Sequence, residues 1–208
     1  MKIIDMTKLP QEWRDILADI QQVAPGAIIA GGALRDFAMD KAPKDIDIFV
    51  PESDLYTVGV PRFVDIERLF SVVRNHRPRE SAKANFDYIG GVSDVSTSTE
   101  FTDWVHSSRQ RIPVNIIIAK ATKLDLEWAR RFDFTVNQII FDGEVTSMTV
   151  EALHDLGNKV FRYVREGGEE DAGRSRRRAE RFRMKYPDWT FIVPEDPLIN
   201  EFEDILGE

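Results

Sequence analysis

Two short stretches hold the residues whose types and spacing could do chemistry. They are Ile28-Ile29-Ala30-Gly31-Gly32-Ala33-Leu34-Arg35-Asp36 and Lys44-Asp45-Ile46-Asp47-Ile48-Phe49-Val50. An apolar run ending in paired glycines lets backbone N–H groups approach an anion, and a helix starting directly afterwards aims its positive end there. Asp45 and Asp47 stand two apart in an alternating acid–apolar run, so on a strand both carboxylates project from one face. Carboxylates held so close repel unless a cation lies between them, and Mg²⁺ prefers such oxygens together with those of a polyphosphate. The chemistry that suits both features is in-line attack on an α-phosphate, with Gly31 and Gly32 holding the triphosphate and Asp45 and Asp47 the metal. Alone, an Asp-x-Asp pair is common on solvated strands and a Gly-Gly pair is an ordinary turn. Their combination at this spacing argues for a site.

The elements that must position these residues are legible in outline. Trp13, Ile16, Leu17 and Ile20 recur at helical spacing, which predicts an amphipathic helix from Pro10 to Val23, ended by Pro25-Gly26. Ala27 to Ala30 reads as a buried strand, Ala33 to Met39 as a short helix, and Asp45 to Val50 as a strand closed by Pro51. Pro61 to Val73 reads as a helix. The polar region from Arg74 to Glu100 offers a strand at Phe86 to Ile89 and a Ser/Thr-rich stretch, Ser93 to Thr99, that reads as a mobile loop. Phe101 to His106 and Ile112 to Ala119 read as paired strands, Leu124 to Arg131 as a helix, and Ile139 to Met148 as a hairpin turning at Asp142-Gly143. A helix from Val150, a short run Lys159 to Val164, a loop Glu166 to Gly173, an arginine-rich helix and a segment after Pro197 complete the chain. The change of character near Val150 predicts a mixed α/β unit over residues 1–150 and a small helical region with the basic helix over 151–208.

Composition narrows the classes. The 208 residues are 42% hydrophobic, enough for one real core, and no run approaches the ~18 apolar residues of a membrane helix. No signal peptide is expected from Met1-Lys2-Ile3-Ile4-Asp5. The absence of cysteine excludes disulfides, thiolate zinc sites and cysteine nucleophiles, and fits a cytoplasmic protein. His76, His106 and His154 show no ligand spacing, so any metal is expected to be a hard cation on carboxylates. A net charge of −8 argues against indiscriminate coating of nucleic acid. Arg174, Arg176, Arg177, Arg178, Arg181, Arg183 and Lys185 nevertheless crowd one segment, a local basic face suited to a polyanion.

Gly31-Gly32-Ala33-Leu34-Arg35-Asp36 with Asp45-Ile46-Asp47 resembles the signature of nucleotidyltransferases related to DNA polymerase β, specifically the head of bacterial-type tRNA CCA-adding enzymes and poly(A) polymerases. The likeness continues through Arg130-Arg131-Phe132-Asp133-Phe134-Thr135-Val136-Asn137, similar to an R-R-D-F-T-x-N segment with one residue inserted. It continues again through Leu153-His154-Asp155-Leu156, Val160-Phe161-Arg162, Glu170-Asp171-Ala172-Gly173-Arg174 and Arg178-Ala179-Glu180-Arg181-Phe182. The resemblance implies an α/β (α+β) palm with a short mixed sheet and helices on one face, then a small helical neck-like region. It implies Asp45 and Asp47 as metal-binding catalytic acids, and Gly31, Gly32 and Arg35 at the triphosphate. Asp133 and Asn137 would stand at the ribose side, Asp171 and Arg174 would read the base, and Arg178 and Arg181 would face phosphate. Its cofactor would be Mg²⁺ and its substrates an NTP and an acceptor, with an RNA 3′ end or another polyanion as the candidate.

Two departures bear on activity. Many superfamily members supply a third carboxylate from a following strand, where Val114-Asn115-Ile116-Ile117-Ile118 offers Asn115. Its amide oxygen can ligate a metal but cannot act as a base, and Asp87, Asp94 and Asp103 stand at no convincing spacing. CCA-adding enzymes also continue into helical body and tail regions, and little chain remains after Phe182, so complete tRNA repair is not expected. Two expectations stand: an Mg²⁺-dependent nucleotidyltransferase, or a catalytically weakened module that binds nucleotide or RNA.

Overall fold

The computed structural model describes residues 8–57, 60–61, 63–76, 80–84, 95–103, 112–164 and 169–193, with the backbone alone described over 56–57, 60–61, 63–66, 80–84, 95–103 and 169–176. In chain order the elements are α1 (Gln11–Gln21), β1 (Ile28–Ala30), α2 (Gly32–Ala38), β2 (Ile46–Pro51), α3 (Glu52–Leu55), β3 (Tyr56–Thr57), β4 (Val60–Pro61), α4 (Phe63–His76), β5 (Glu80–Ala84), β6 (Val95–Asp103) and β7 (Val114–Ala119). There follow α5 (Leu126–Ala129), a 3₁₀ turn (Thr135–Asn137), β8 (Ile139–Phe141), β9 (Thr146–Met148), α6 (Val150–Asn158), β10 (Val160–Arg162), α7 (Glu169–Lys185) and β11 (Thr190–Ile192).

Seven strands form a mixed sheet in the order β5-β6-β7-β2-β1-β8-β9. Only β2 and β7 run parallel; the other neighbours are antiparallel. Central strands β2 and β7 are buried at every position, as expected of near-continuous Ile and Val runs covered on both faces. Alternate residues divide between two clusters. Ile29, Ile46, Ile48, Val50, Val114, Ile116 and Ile118 pack with α1, α2, α4 and α6. Ile28, Ala30, Phe49 and Ile117 face the opposite way, where Leu126, Trp128, Ala129 and Phe132, on and just after α5, cover part of the sheet. Asp47 and Asn115 belong to this second face by strand alternation.

α1 buries Trp13, Ile16, Leu17 and Ile20, the stripe its periodicity predicts. The β8–β9 hairpin turns at Gly143 with φ +104°, and Asp142 Oδ1 accepts from the N–H groups of Glu144 and Val145. The first core cluster continues into Ala152, Leu156, Phe161, Ala179, Tyr186 and Trp189, so the sheet and the C-terminal elements share apolar packing. Among the described residues no helix is long and apolar enough to cross a membrane.

Two expectations need correcting. Val95 to Thr99 are not a loop: they begin β6, which pairs with β5 and β7. Threonine and valine are β-branched and suit a pleated strand, which outweighs their polarity. The segment Glu169 to Gly173 is likewise helical rather than a loop, because α7 starts at Glu169. Glu169, Glu170 and Asp171 place negative charge in its first turn, where the helix dipole favours it. The parallel pair β10–β11 was not foreseen from the sequence. The strand proposed at Phe86 to Ile89 and the segment after Pro197 lie outside the described residues.

Asp155, on α6, is buried and accepts from Thr135 (2.7 Å), Arg162 (3.1 and 3.3 Å) and His154 (3.2 Å). Burial pushes its carboxyl up, but hydrogen bonds from Arg162, Thr135 and His154 together outweigh burial and leave it below the usual carboxylate range. A carboxyl lowered in the folded state stabilises the fold above its unfolded pKa of ~3.9, and that contribution is lost as pH falls through the folded value. Acid unfolding followed by circular dichroism should therefore steepen below about pH 4. Asp155→Asn should flatten that part of the curve and lower stability at neutral pH.

Candidate active site

β1 runs antiparallel to β2 with Ile28 opposite Phe49 and Ile29 opposite Ile48. The end of β1, where Gly31 and Gly32 follow, therefore lies beside the start of β2, where Asp45 and Asp47 stand. Gly31 has φ +82° and ψ −132°, a conformation that side chains rarely adopt, and its N–H donates to Ile139 O at 3.0 Å. That bond ties the turn to β8, so phosphate would meet N–H groups of the following turn, which have no acceptor within the helix. A Cβ on Gly31 would meet only the Phe132 ring at 3.7 Å, so the cost of Gly31→Ala is backbone strain. We expect that variant to lose about 1–3 kcal/mol of stability in denaturant unfolding.

Asp47 is 9% exposed, and Asn115 is fully buried beside it, at the partner position on the parallel strand β7. Asn115 Nδ2 donates to Asp47 Oδ1 at 2.8 Å. The amide expected as an oxygen ligand thus presents its NH₂ group here and orients the carboxylate. Asp45 precedes the strand, is partly exposed, and lies 3.6 Å from Lys44. Phe49, two residues beyond Asp47 on the same face, packs edge-on against Trp128 (4.9 Å) and Phe132 (5.7 Å). These rings form an apolar wall beside the acids, and Phe132 also lies against Gly31.

The donors fit a hard divalent cation: two carboxylates, one nearly buried, with His76 engaged by Asp19 and His154 beside Asp155. Among the described residues no three His, Cys, Asp or Glu side chains are grouped to hold a metal. A cation there would complete its shell with substrate oxygens, as Mg²⁺ commonly does.

Arg35 is 4% exposed and engaged inward. Its Nε and Nη2 donate to Asp36 Oδ1 (2.8 and 2.5 Å), its Nη1 donates to Asn137 Oδ1 (2.6 Å), and its guanidinium lies over Phe182 at 4.4 Å. The residue expected at the triphosphate therefore braces α2 against α7, its guanidinium close behind Gly32. Asp36 also accepts from Tyr186 Oη at 2.5 Å and from Lys185 Nζ. Burial, with the Asp36 charge adding to it, pushes the Tyr186 hydroxyl far up, and Arg35 only partly opposes this, so it remains a neutral donor. Asp133 is bridged by Arg178 at 2.8 Å, while Arg181 is exposed. Asp171 and Arg174 fall on the first two turns of α7, where side chains lie outside the described residues. Asp103 ends β6 opposite Glu80; Asp87 and Asp94 lie outside the described residues.

The structure thus sets Gly31 and Gly32 beside the start of the strand that carries Asp47 and its partner Asn115, joins Arg35 to Asn137 close to Gly32, and joins Asp133 to Arg178. Sequence reasoning counted Lys185 only within the basic face and Asp36 only within the glycine motif, and it did not single out Tyr186. The signal available was the i, i+4 aromatic pair Phe182 and Tyr186 on the basic helix.

Residues 7–159, more than half of the chain, match the Gabija anti-defense 2 family protein. The chain belongs to the Gabija anti-defense 2 family. This family member is also 26% identical over 166 residues to the CCA-adding enzyme of Leuconostoc citreum (strain KM20), covering 76% of the chain and 36% of that enzyme. In structure it is similar to the Thermotoga maritima CCA-adding enzyme complexed with tRNA (TM-score 0.58, 17% identity), covering 96% of the chain and 45% of that protein. A CCA-adding enzyme in complex with ATP matches equally well (TM-score 0.58, 16% identity), with 92% and 41% covered. The chain therefore has a nucleotidyltransferase fold resembling the head of CCA-adding enzymes, and spans less than half the length of these relatives.

Proposed function

We propose that this chain transfers a nucleoside monophosphate from an NTP to an acceptor, in an Mg²⁺-dependent reaction directed against the Gabija defence for which its family is described. The observation that carries this reading is Asp47, nearly buried and oriented by Asn115, on the strand that runs beside the Gly31–Gly32 turn. A carboxylate held in one orientation there, with Asp45 two residues before it, offers the anionic oxygens that Mg²⁺ takes. The solved relatives with tRNA and with ATP support a nucleotide and an RNA-like acceptor as partners.

In this reading Gly31 and Gly32 admit the triphosphate, and Asp45 and Asp47 hold Mg²⁺. Bound Mg²⁺ would neutralise triphosphate charge and make the acceptor hydroxyl easier to deprotonate. The acceptor oxygen bonds to the α-phosphorus, the bond to the β-phosphate oxygen breaks, and pyrophosphate leaves. Asn115 fixes the Asp47 rotamer. Asn137 and Asp133, locked by Arg35 and Arg178, wall the ribose side, with Arg181 facing phosphate. Asp171 and Arg174 of α7 read the base edge. The head extends to about residue 150, and 151–208 serve as a neck that carries the basic helix.

A second reading, a nucleotide- or RNA-binding module without turnover, is favoured by one observation: an amide stands at the position beside Asp47. Incubation with each labelled NTP, Mg²⁺ and, separately, total RNA, DNA and the proteins of the Gabija defence distinguishes the two. Label transfer lost in Asp45→Ala is the expected result. Nucleotide binding with no label on any acceptor would overturn the enzyme reading and leave the module.

A further inference from the structure

An open groove lies beyond the acids, at the other end of the two parallel strands. Pro51 of β2 and Ala119 of β7 are partner positions, and the chain that follows each of them borders a space of about 1080 Å³ flanked by α5. Ser53 Oγ donates to Thr122 O at 3.3 Å and joins the two loops. Four cations line the space, Lys120, Lys123, Arg130 and Arg131, on a chain whose net charge is −8. Two of its three acids are already engaged: Asp125 lies 2.9 Å from Lys123, and Glu127 lies 3.2 Å from Arg130. Lys120 is exposed, with no ion pair among the described residues. Trp128 supplies the aromatic wall. It is partly exposed and packs edge-on against Phe49 (4.9 Å) and Phe132 (5.4 Å). Its Nε1 is buried with no hydrogen-bond acceptor among the described residues. A buried indole N–H ordinarily has a partner, so here ring contacts alone hold the side chain.

Cations around an aromatic wall suit a single-stranded nucleic acid, whose phosphates follow the charges while a base stacks on the ring. We propose that this groove holds the acceptor, a single-stranded RNA with phosphates on Lys120 and Arg131 and one base stacked on the exposed part of Trp128. This inference rests on the nucleotidyltransferase reading above and names where its acceptor lies. Phe49 links groove and acids. It shares one face of β2 with Asp47, and Trp128 packs on it. Pro51 stands about 13 Å along the strand from Asp47, so the 3′ end of an RNA in the groove lies within reach of the acids. The Lys123–Asp125 and Arg130–Glu127 pairs are exposed and contribute little, so a phosphate can replace either carboxylate at small cost. The competing place for the acceptor is the basic helix α7, where Arg177 is exposed.

Fluorescence anisotropy of a short fluorescein-labelled single-stranded RNA, titrated with the full chain over a range of salt, tests this without relying on turnover. Lys120→Glu combined with Arg131→Glu should weaken RNA binding at least tenfold and reduce the salt slope by about 0.7 for each lost phosphate contact. Trp128→Leu should weaken it about tenfold with the salt slope unchanged, as loss of a stacked base requires. NTP affinity, read by calorimetry, should stay within about twofold in the charge variant, which also shows that it is folded. The same RNA annealed into a duplex should bind more weakly, because its bases are not free to stack on Trp128. Wild-type RNA affinity in both variants, with label transfer from NTP intact, would overturn the groove and leave the nucleotidyltransferase reading standing. Weakening by Arg177→Glu as large as that of the groove variants would overturn it in favour of α7. Groove-dependent RNA binding with no label transferred to any acceptor would overturn the reading on which the proposal rests.

Discussion

Asp47→Asn should lower nucleotidyl transfer at least a thousandfold while leaving the chain folded. Removing one of the two acids that the acceptor step depends on is expected to cost about 4 kcal/mol of transition-state stabilisation, which is about a thousandfold in rate. The fold tolerates the change for a local reason: Asp47 is 9% exposed and accepts a hydrogen bond from Asn115 Nδ2. The replacement amide retains an oxygen to accept from Asn115 Nδ2, so the hydrogen bond survives and only the charge is removed. Thermal unfolding without metal should therefore give a cooperative transition close to that of the wild type. A variant both inactive and strongly destabilised would contradict this description of the site.

The second large effect is structural. Asp36→Ala should cost about 3–5 kcal/mol, because it leaves a buried guanidinium and a buried hydroxyl without their shared acceptor. Arg35 at 4% exposure and Tyr186 at 1% both donate to this one carboxylate, and neither can reach bulk water without opening the packing around Phe161, Phe182 and Trp189. For a chain of this size the loss corresponds to a fall of about 6–20 °C in melting temperature. Lys185→Ala, at the same carboxylate but about a third exposed, should change stability by under about 1 kcal/mol. Comparing the two variants by differential scanning calorimetry separates a buried polar hub from a surface ion pair. Equal effects would contradict the assignment of Asp36 as the hub.

Short-range features were readable from the chain. The i, i+3, i+4, i+7 stripe of α1 is buried as spaced, the glycine pair breaks β1 where it should, and Asp142-Gly143 turns a hairpin. Asp45 and Asp47 reach the glycine turn because two neighbouring strands are antiparallel, which an apolar run followed by an alternating run leaves open. What escaped the sequence depends on pairing across long separations. Arg35 read as a cation for phosphate because nothing local shows that Phe182 and Tyr186, some 150 residues away, will enclose it. Asp133 and Arg178 were each legible as site residues, but not as partners of one another. Phe101 onward reads as a strand paired with Ile112 to Ala119, and Phe101 does pair with Val114, but the first half of β6 reads as a loop when serine and threonine are weighed as polar residues rather than as residues at ease on a pleated strand.

The most direct measurement follows two isotopes of one nucleotide. NTP labelled at the α-phosphate should mark the acceptor, and the same NTP labelled at the γ-phosphate should release its label as pyrophosphate, with both events absent in Asp47→Asn. Label from the γ-position on the acceptor, or α-label transfer that persists in Asp47→Asn, would contradict nucleotidyl transfer at the Gly31–Gly32 and Asp45–Asp47 site.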